Sequence, residues 1–241
     1  MIDLKAGDIS FKIASGWEDL TVEQVEQLKI KDGKDIDKLR ILTTLTNKQM
    51  SMIDLNGLIP YLDFIDKPLI DFTEPLNEIV INDKILTLNE DLGVYTYGQK
   101  IMSTEAIKAG DFLEAIAVYL EPLISDEDFN HKKIDSIKQL LLPLNAVTVY
   151  SVFKFISNQL LKLVERDKTL AQEPTYEQQK AGVKNFNQLG EFNTYDMLAL
   201  GQPWRYNDIL ALDYNTIFNK LLKNKISSNF ETKYSEIMRA K

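Results

Sequence analysis

Apolar and polar positions alternate in Ile9-Ser10-Phe11-Lys12-Ile13, which predicts a short half-buried strand that Gly16 breaks. From there the period lengthens to that of a helix. Thr21 and Gln24 have capping-box spacing: the threonine hydroxyl accepts from the third helical amide and the glutamine reaches back to the cap. Leu20 and Val25 occupy the staple positions, so a helix is predicted from Thr21 to about Lys29, with Asp32-Gly33 as its stop. Asp35 caps a second helix with an apolar face of Ile36, Leu39, Leu42 and Leu45. Thr46 with Gln49 caps a short third one, and a fourth covers 58–65, ahead of Pro68.

The clearest strand signal comes next. Glu78-Ile79-Val80-Ile81 and Lys84-Ile85-Leu86-Thr87-Leu88 flank Asn82-Asp83, two residues that tolerate positive φ, so 78–88 reads as a hairpin with a primed turn. Two strands alone are marginal. The hairpin is therefore expected either to pair with the 9–13 strand or to pack on helices. From Thr96 the period is helical, with helices over 96–109, 111–123 and 132–141. A long one follows over 145–169, where Val149, Val152, Phe153, Ile156, Leu160, Leu163 and Val164 keep i, i+3, i+4, i+7 spacing. The stretch 171–176, with Pro174, is the candidate linker, and Thr175 with Gln178 caps a polar helix behind it. Helices over 194–200, 204–212 and 214–239 complete the chain, and no internal repeat is visible. The expected fold is mainly α with a small antiparallel β-sheet near the N-terminus, an α+β arrangement.

Charge suggests a division. The net charge is −8, but residues 1–130 hold 25 acidic and 12 basic side chains while 131–241 hold 11 and 16. An acidic N-terminal region, 1–130 with the hairpin 78–88, would then precede a mildly basic C-terminal region, 131–241, unless the two form one continuous domain. Opposite charges of this kind suit head-to-tail contacts between subunits, or simply two differently solvated surfaces. Nucleic-acid binding is not expected, because the nearest basic cluster, Lys220, Lys223 and Lys225, is short and interrupted by apolar residues. Nor is a membrane: Met1–Lys5 has no apolar core of a secretory signal. The longest charge-free stretch, 139–153, contains Pro143 and falls short of the roughly 20 apolar residues of a spanning helix. A soluble, intracellular chain is the expectation.

Composition also thins out the chemistry. With no cysteine there are no disulfides, thiolate metal sites or cysteine nucleophiles, and a single histidine, His131, leaves little room for histidine-relay or transition-metal catalysis. No phosphate loop, dinucleotide fingerprint or Gly-x-Ser-x-Gly elbow occurs. Asp126-Glu127-Asp128 resembles half of a calcium loop but lacks its glycine and terminal glutamate, so a solvated acidic turn is expected, without metal or cofactor. A carboxylate-dependent hydrolase stays open as a remote alternative, needing a concave site with two carboxyls about 5–9 Å apart.

Trp17 and Trp204 each lie beside a helix start and next to charge. Either could pin its helix to the core or anchor an interface. Gln202-Pro203-Trp204-Arg205-Tyr206-Asn207 gathers Trp, Arg and Tyr within a few positions, so Trp17, Trp204, Arg205 and Tyr206 are the candidate interface residues.

Gly16-Trp17-Glu18-Asp19-Leu20-Thr21-Val22-Glu23-Gln24, between a strand and a helix, resembles the opening of tailed-bacteriophage tail-module proteins. These are tail assembly chaperones and uncharacterised tail proteins with a Ser-Trp-x-x-Leu/Ile-Thr-x-x-Gln pattern, whose serine is Gly16 here. Leu92-Gly93-Val94-Tyr95-Thr96-Tyr97-Gly98-Gln99 is similar to that group's Leu/Met-Thr-x-Gly-Gln helix start, and 204–238 to the Trp/Tyr-rich end of longer members. The resemblance implies a non-enzymatic role in building the virion neck or tail, assembled in the host cytoplasm, and the opposite charges of the two halves, which suit ring-closing contacts, favour a subunit of a homo-oligomeric ring. Its partners would be other phage tail and neck proteins. The alternative it implies is a transient assembly chaperone for the tape-measure protein. It carries no catalytic residues.

Overall fold

Gly7, at φ +60°, turns the chain so that Ile2–Ala6 (β1) pairs antiparallel with Ile9–Ile13 (β2), Ile2 opposite Ile13 and Ala6 opposite Ile9. The structure, a computed structural model, describes residues 1–30, 35–171 and 174–239. After β2 come α1 (Val22–Ile30), α2 (Asp35–Leu42) and the single turn α3 (Asn47–Met50). Two 3-10 stretches follow, Leu55–Asp66 and Leu69–Phe72, then the hairpin β3 (Glu78–Ile81) and β4 (Lys84–Thr87). The remainder is α4 (Tyr97–Ala109), α5 (Phe112–Ser125), α6 (Ile134–Leu141), α7 (Ala146–Lys168), α8 (Tyr176–Lys180), α9 (Glu191–Leu198), α10 (Tyr206–Ala211) and α11 (Tyr214–Arg239). The protein is mainly α, with small antiparallel β pairs early in the chain.

Local chemistry explains most boundaries. Capping boxes close at Thr46–Gln49, Thr96–Gln99 and Thr175–Gln178, and Thr21 and Gln24 exchange the same pair of bonds. Asn82 and Asp83, at φ +50° and +62°, make the turn of the second hairpin. Two expectations are corrected. The helix expected over 58–65 is instead part of a longer 3-10 stretch, Leu55–Asp66, with Pro60 inside it. The polar helix after Thr175 stops at Lys180, because Gly182, at φ +86°, breaks it. The Asp32-Gly33 stop and residues 172–173 of the linker candidate lie outside the described residues.

The chain forms two compact units, Met1–Leu88 with Phe112–Ile156 and Asn89–Asp111 with Ser157–Lys241. This partition does not follow a boundary at 130/131. Counted over it, the first unit carries 22 acidic and 14 basic side chains, net −8, and the second 14 of each, net 0. The acidic and basic halves of the sequence are therefore not the folded bodies.

In the first unit α5 is the centre: every residue from Ala115 to Leu120 is wholly buried. The β3–β4 hairpin lays Ile79, Ile81 and Leu86 inward, with Val80 and Ile85 exposed, and packs on α5. It does not pair with β2. The starts of α1 and α7 are clasped, Val22 N–H donating to the Leu144 carbonyl (3.0 Å) and Ala146 N–H to that of Leu20 (2.8 Å).

In the second unit the first turn of α4 is gripped from both sides, Tyr97 N–H donating to the Leu212 carbonyl and Tyr214 N–H to that of Tyr95. A Cβ on Gly98 would stand 3.2 Å from the Leu210 carbonyl oxygen, which is why that position takes no side chain. Tyr97, Leu160, Leu163, Tyr214 and Ile217 form the buried centre, whereas from residue 174 to 212 Ala199 alone is buried.

Candidate functional site

That lightly packed stretch displays the most exposed large apolar side chains of the second unit. Leu200 and Gly201 follow α9 at φ +59° and +67°. A left-handed conformation is costly for a branched, bulky residue, yet Leu200 adopts it with its side chain 73% exposed. Trp204, four residues on, is 75% exposed. Arg205 is exposed beside it. Tyr206 instead packs edge-on against Phe192 and Tyr195, at 5.9 and 5.1 Å, and its hydroxyl donates to Asp196, a bond that pushes the phenol up to about 12. It braces the surface from below.

Trp17 is a correction. It is buried, edge-on to Phe64 at 5.2 Å, and its Nε1–H donates to the Lys67 carbonyl at 3.1 Å. Only its edge reaches a groove of about 410 Å³ in the first unit, whose other walls include Leu28, Ile65, Ile70 and Tyr150. Lys29, also on that groove, donates to Glu26 and Tyr150 at 2.8 Å each and lies over the Phe112 ring. Burial works against its charge, but these bonds outweigh it and hold the ammonium above its ordinary value. Trp17 thus pins its turn to the core and is not a surface anchor.

The densest ionisable chemistry is in the second unit, and the sequence reading passes over it. Lys100, 6% exposed, donates to Glu191 at 2.8 Å and to Asp167 at 3.4 Å. The Tyr97 hydroxyl donates to Glu191 and the Tyr214 hydroxyl to Asp167. Arg166 lies over the rings of Tyr214 and Phe218, at 4.8 and 4.6 Å, and donates to Asn215. Burial raises Asp167 above the usual carboxylate range. Burial also pushes Glu191 upward, but the Lys100 charge and the donated bonds outweigh it and leave Glu191 below that range.

These carboxylates line a cavity of about 320 Å³ with Lys100, Tyr97 and Tyr214. Each oxygen pair is already committed to an ammonium and a phenol. The geometry is that of an ion-pair clasp joining α9 to α4 and α7. The two acids oppose each other in linkage. Glu191 contributes stability above about 4.3 that is lost as pH falls through its lowered folded value. Asp167 keeps its proton longer in the folded state, so its contribution declines as pH rises from about 3.9 through its raised value. Asp167→Asn should therefore make stability fall more steeply on acidification than in the unaltered chain, read from denaturant midpoints across that range; an unchanged slope would show that the two acids are not opposed.

The remaining candidates are quickly placed. His131 is exposed in a 3-10 turn capped by Asn130. In the acidic turn, Lys84 pairs with Asp126 and Lys133 with Glu127. Among the described residues no group of three or more acidic or histidine side chains is placed to hold a metal ion, and no helix is long and apolar enough to cross a membrane. No protein-family model, curated protein or solved structure matches this chain.

Proposed function

We propose that this protein is a non-enzymatic structural component of a tailed bacteriophage, a subunit of a ring in the virion neck or tail held by protein–protein contacts. The observation that supports it most is the strained display of Leu200 beside Trp204. A left-handed leucine and a tryptophan, both about three-quarters exposed, are costly to keep on a free surface and valuable under a partner. Trp204 also begins the last of the three stretches that resemble phage tail-module proteins, and the ionisable cluster reads as a clasp for the helix that precedes it.

Mass spectrometry of purified mature particles tests the reading directly. Stoichiometric presence is expected. Absence from particles, with capture of an extended tape-measure segment on co-expression, would make the chain an assembly chaperone instead. Trp204→Ala should weaken assembly by about 2 kcal/mol, roughly thirtyfold, while shifting the denaturant midpoint by less than the equivalent of about 0.5 kcal/mol. Loss of helical signal on gentle heating of that variant would place Trp204 in the fold and remove it from the interface.

A further inference from the structure

Residues 176–201 lie on their unit with almost no apolar burial. Within them only Ala199 is buried, and α8 and the 3-10 turn Val183–Leu189 are exposed along nearly their whole length. A segment that hides so little surface opens at a far lower free energy than the packed centre around it.

The bonds that hold α9 down are few and mostly polar. At its front Glu191 accepts from Lys100 at 2.8 Å and from the Tyr97 hydroxyl, and Thr194, one turn on, bonds the same hydroxyl. Among the described residues, Glu191 with Lys100 is the only ion pair that 176–201 makes outside itself. Along its length Phe192 and Tyr195 meet the Tyr206 ring of α10, whose hydroxyl donates to Asp196. The rest of the unit is fastened separately. Leu210 of α10 seats against Gly98, the Leu212 carbonyl accepts from Tyr97 N–H, and the Tyr95 carbonyl accepts from Tyr214 N–H. None of these contacts uses a residue of 176–201. Asp167 on α7 also stays bonded to Lys100, so losing Glu191 does not leave the ammonium unpaired.

Both ends of α9 are joints. Gly190 precedes it at φ +51° and ψ −133°, a conformation open to little but glycine, and Leu200 and Gly201 follow it at φ +59° and +67°. Closure holds Leu200 in a region that opposes its side chain, and a lifted helix releases it.

We infer that α9 is a strap that lifts from α4 and α10 about these joints, drawing 176–190 with it and with Glu191 as its latch, while α4, α7, α10 and α11 keep their packing. The lifted state bares the Lys100 ammonium and the Tyr97 hydroxyl and takes Phe192 and Tyr195 away from Tyr206. It is a property of the single chain and holds whether or not Leu200 and Trp204 meet a ring neighbour.

The chain has no cysteine of its own, so one introduced thiol reports on one place. Ala199→Cys puts it at the buried position of the strap, and its reaction with a maleimide is followed in the full-length chain across low urea. The rate is expected to be nearly independent of urea, because lifting exposes little surface. It should rise about tenfold when Glu191→Gln is added, the order expected for lost bonds to a charged group. Amide exchange in the cysteine-free chain, with and without Glu191→Gln, should show the same change in α9 while α7 stays protected, which covers the case in which the thiol itself loosens the helix. Two results overturn the inference. Labelling that climbs with urea in step with the loss of helical signal would mean that α9 opens only when its whole unit unfolds. Labelling and exchange that ignore Glu191→Gln would mean that the ion pair latches nothing.

Discussion

Replacing Lys100 with alanine should lower stability by about 3 kcal/mol, the lower end of the cost of breaking a buried ion pair. Among the described residues the ammonium is the one positive charge bonded to both Glu191 and Asp167, and at 6% exposed it is almost shut off from solvent. Its removal leaves two carboxylates facing each other across a partly buried cavity. Asp167 is already raised by burial and would rise further, and Glu191 would lose the charge that holds it low. In urea the midpoint should fall by roughly 1–2 M. Replacing the set together, as Lys100→Met with Asp167→Asn and Glu191→Gln, should recover most of the loss, because no uncompensated charge then remains. An unchanged midpoint for Lys100→Ala would mean that the cluster is solvated and holds nothing. Under the proposed ring role the clasp would matter for assembly too, because α9 carries Glu191 at its first position and ends two residues before Leu200 and six before Trp204.

Local chemistry was the legible part of this chain. Threonine–glutamine caps and an Asn-Asp turn act over three or four residues, and each appears where its spacing predicts. β1 was readable too, since Ile2, Leu4 and Ala6 alternate with Asp3 and Lys5 before Gly7-Asp8, but its residues are mostly exposed and the pattern is faint. What spacing could not supply was pairing at a distance. Lys100 falls on the same i, i+3 face as buried Tyr97, Ser103 and Ala106, which marks it as a buried cation in need of acids. Nothing local says that those acids lie 67 and 91 residues downstream. The charge split misleads for the same reason. Chain order put an acidic half before a basic one, and folding interleaves them into units of −8 and 0. Trp17 and Trp204 had equivalent sequence contexts, and only tertiary packing separates the buried ring from the displayed one.

The second large effect is expected at Leu160. In α7 the period places Ile156, Leu160 and Leu163 on one face, and they are 0%, 6% and 4% exposed, while Leu161, one step around the helix, is 61% exposed. Val164, which the same spacing assigns to the inner face, is 43% exposed, so the buried stripe is narrower than the apolar one. Leu160→Ala removes three buried carbons and leaves a cavity among Leu163 and its neighbours, at a cost of about 3 kcal/mol within the usual 2–5. Leu161→Ala loses the same atoms from a mostly solvated position and should cost less than about 0.5 kcal/mol. The pair isolates burial from composition and helix propensity, because both variants make the same replacement in the same helix. Equal denaturant midpoints would mean that α7 is peripheral, and a larger loss at Leu161 would mean that its phase is turned by about 100° from the one described.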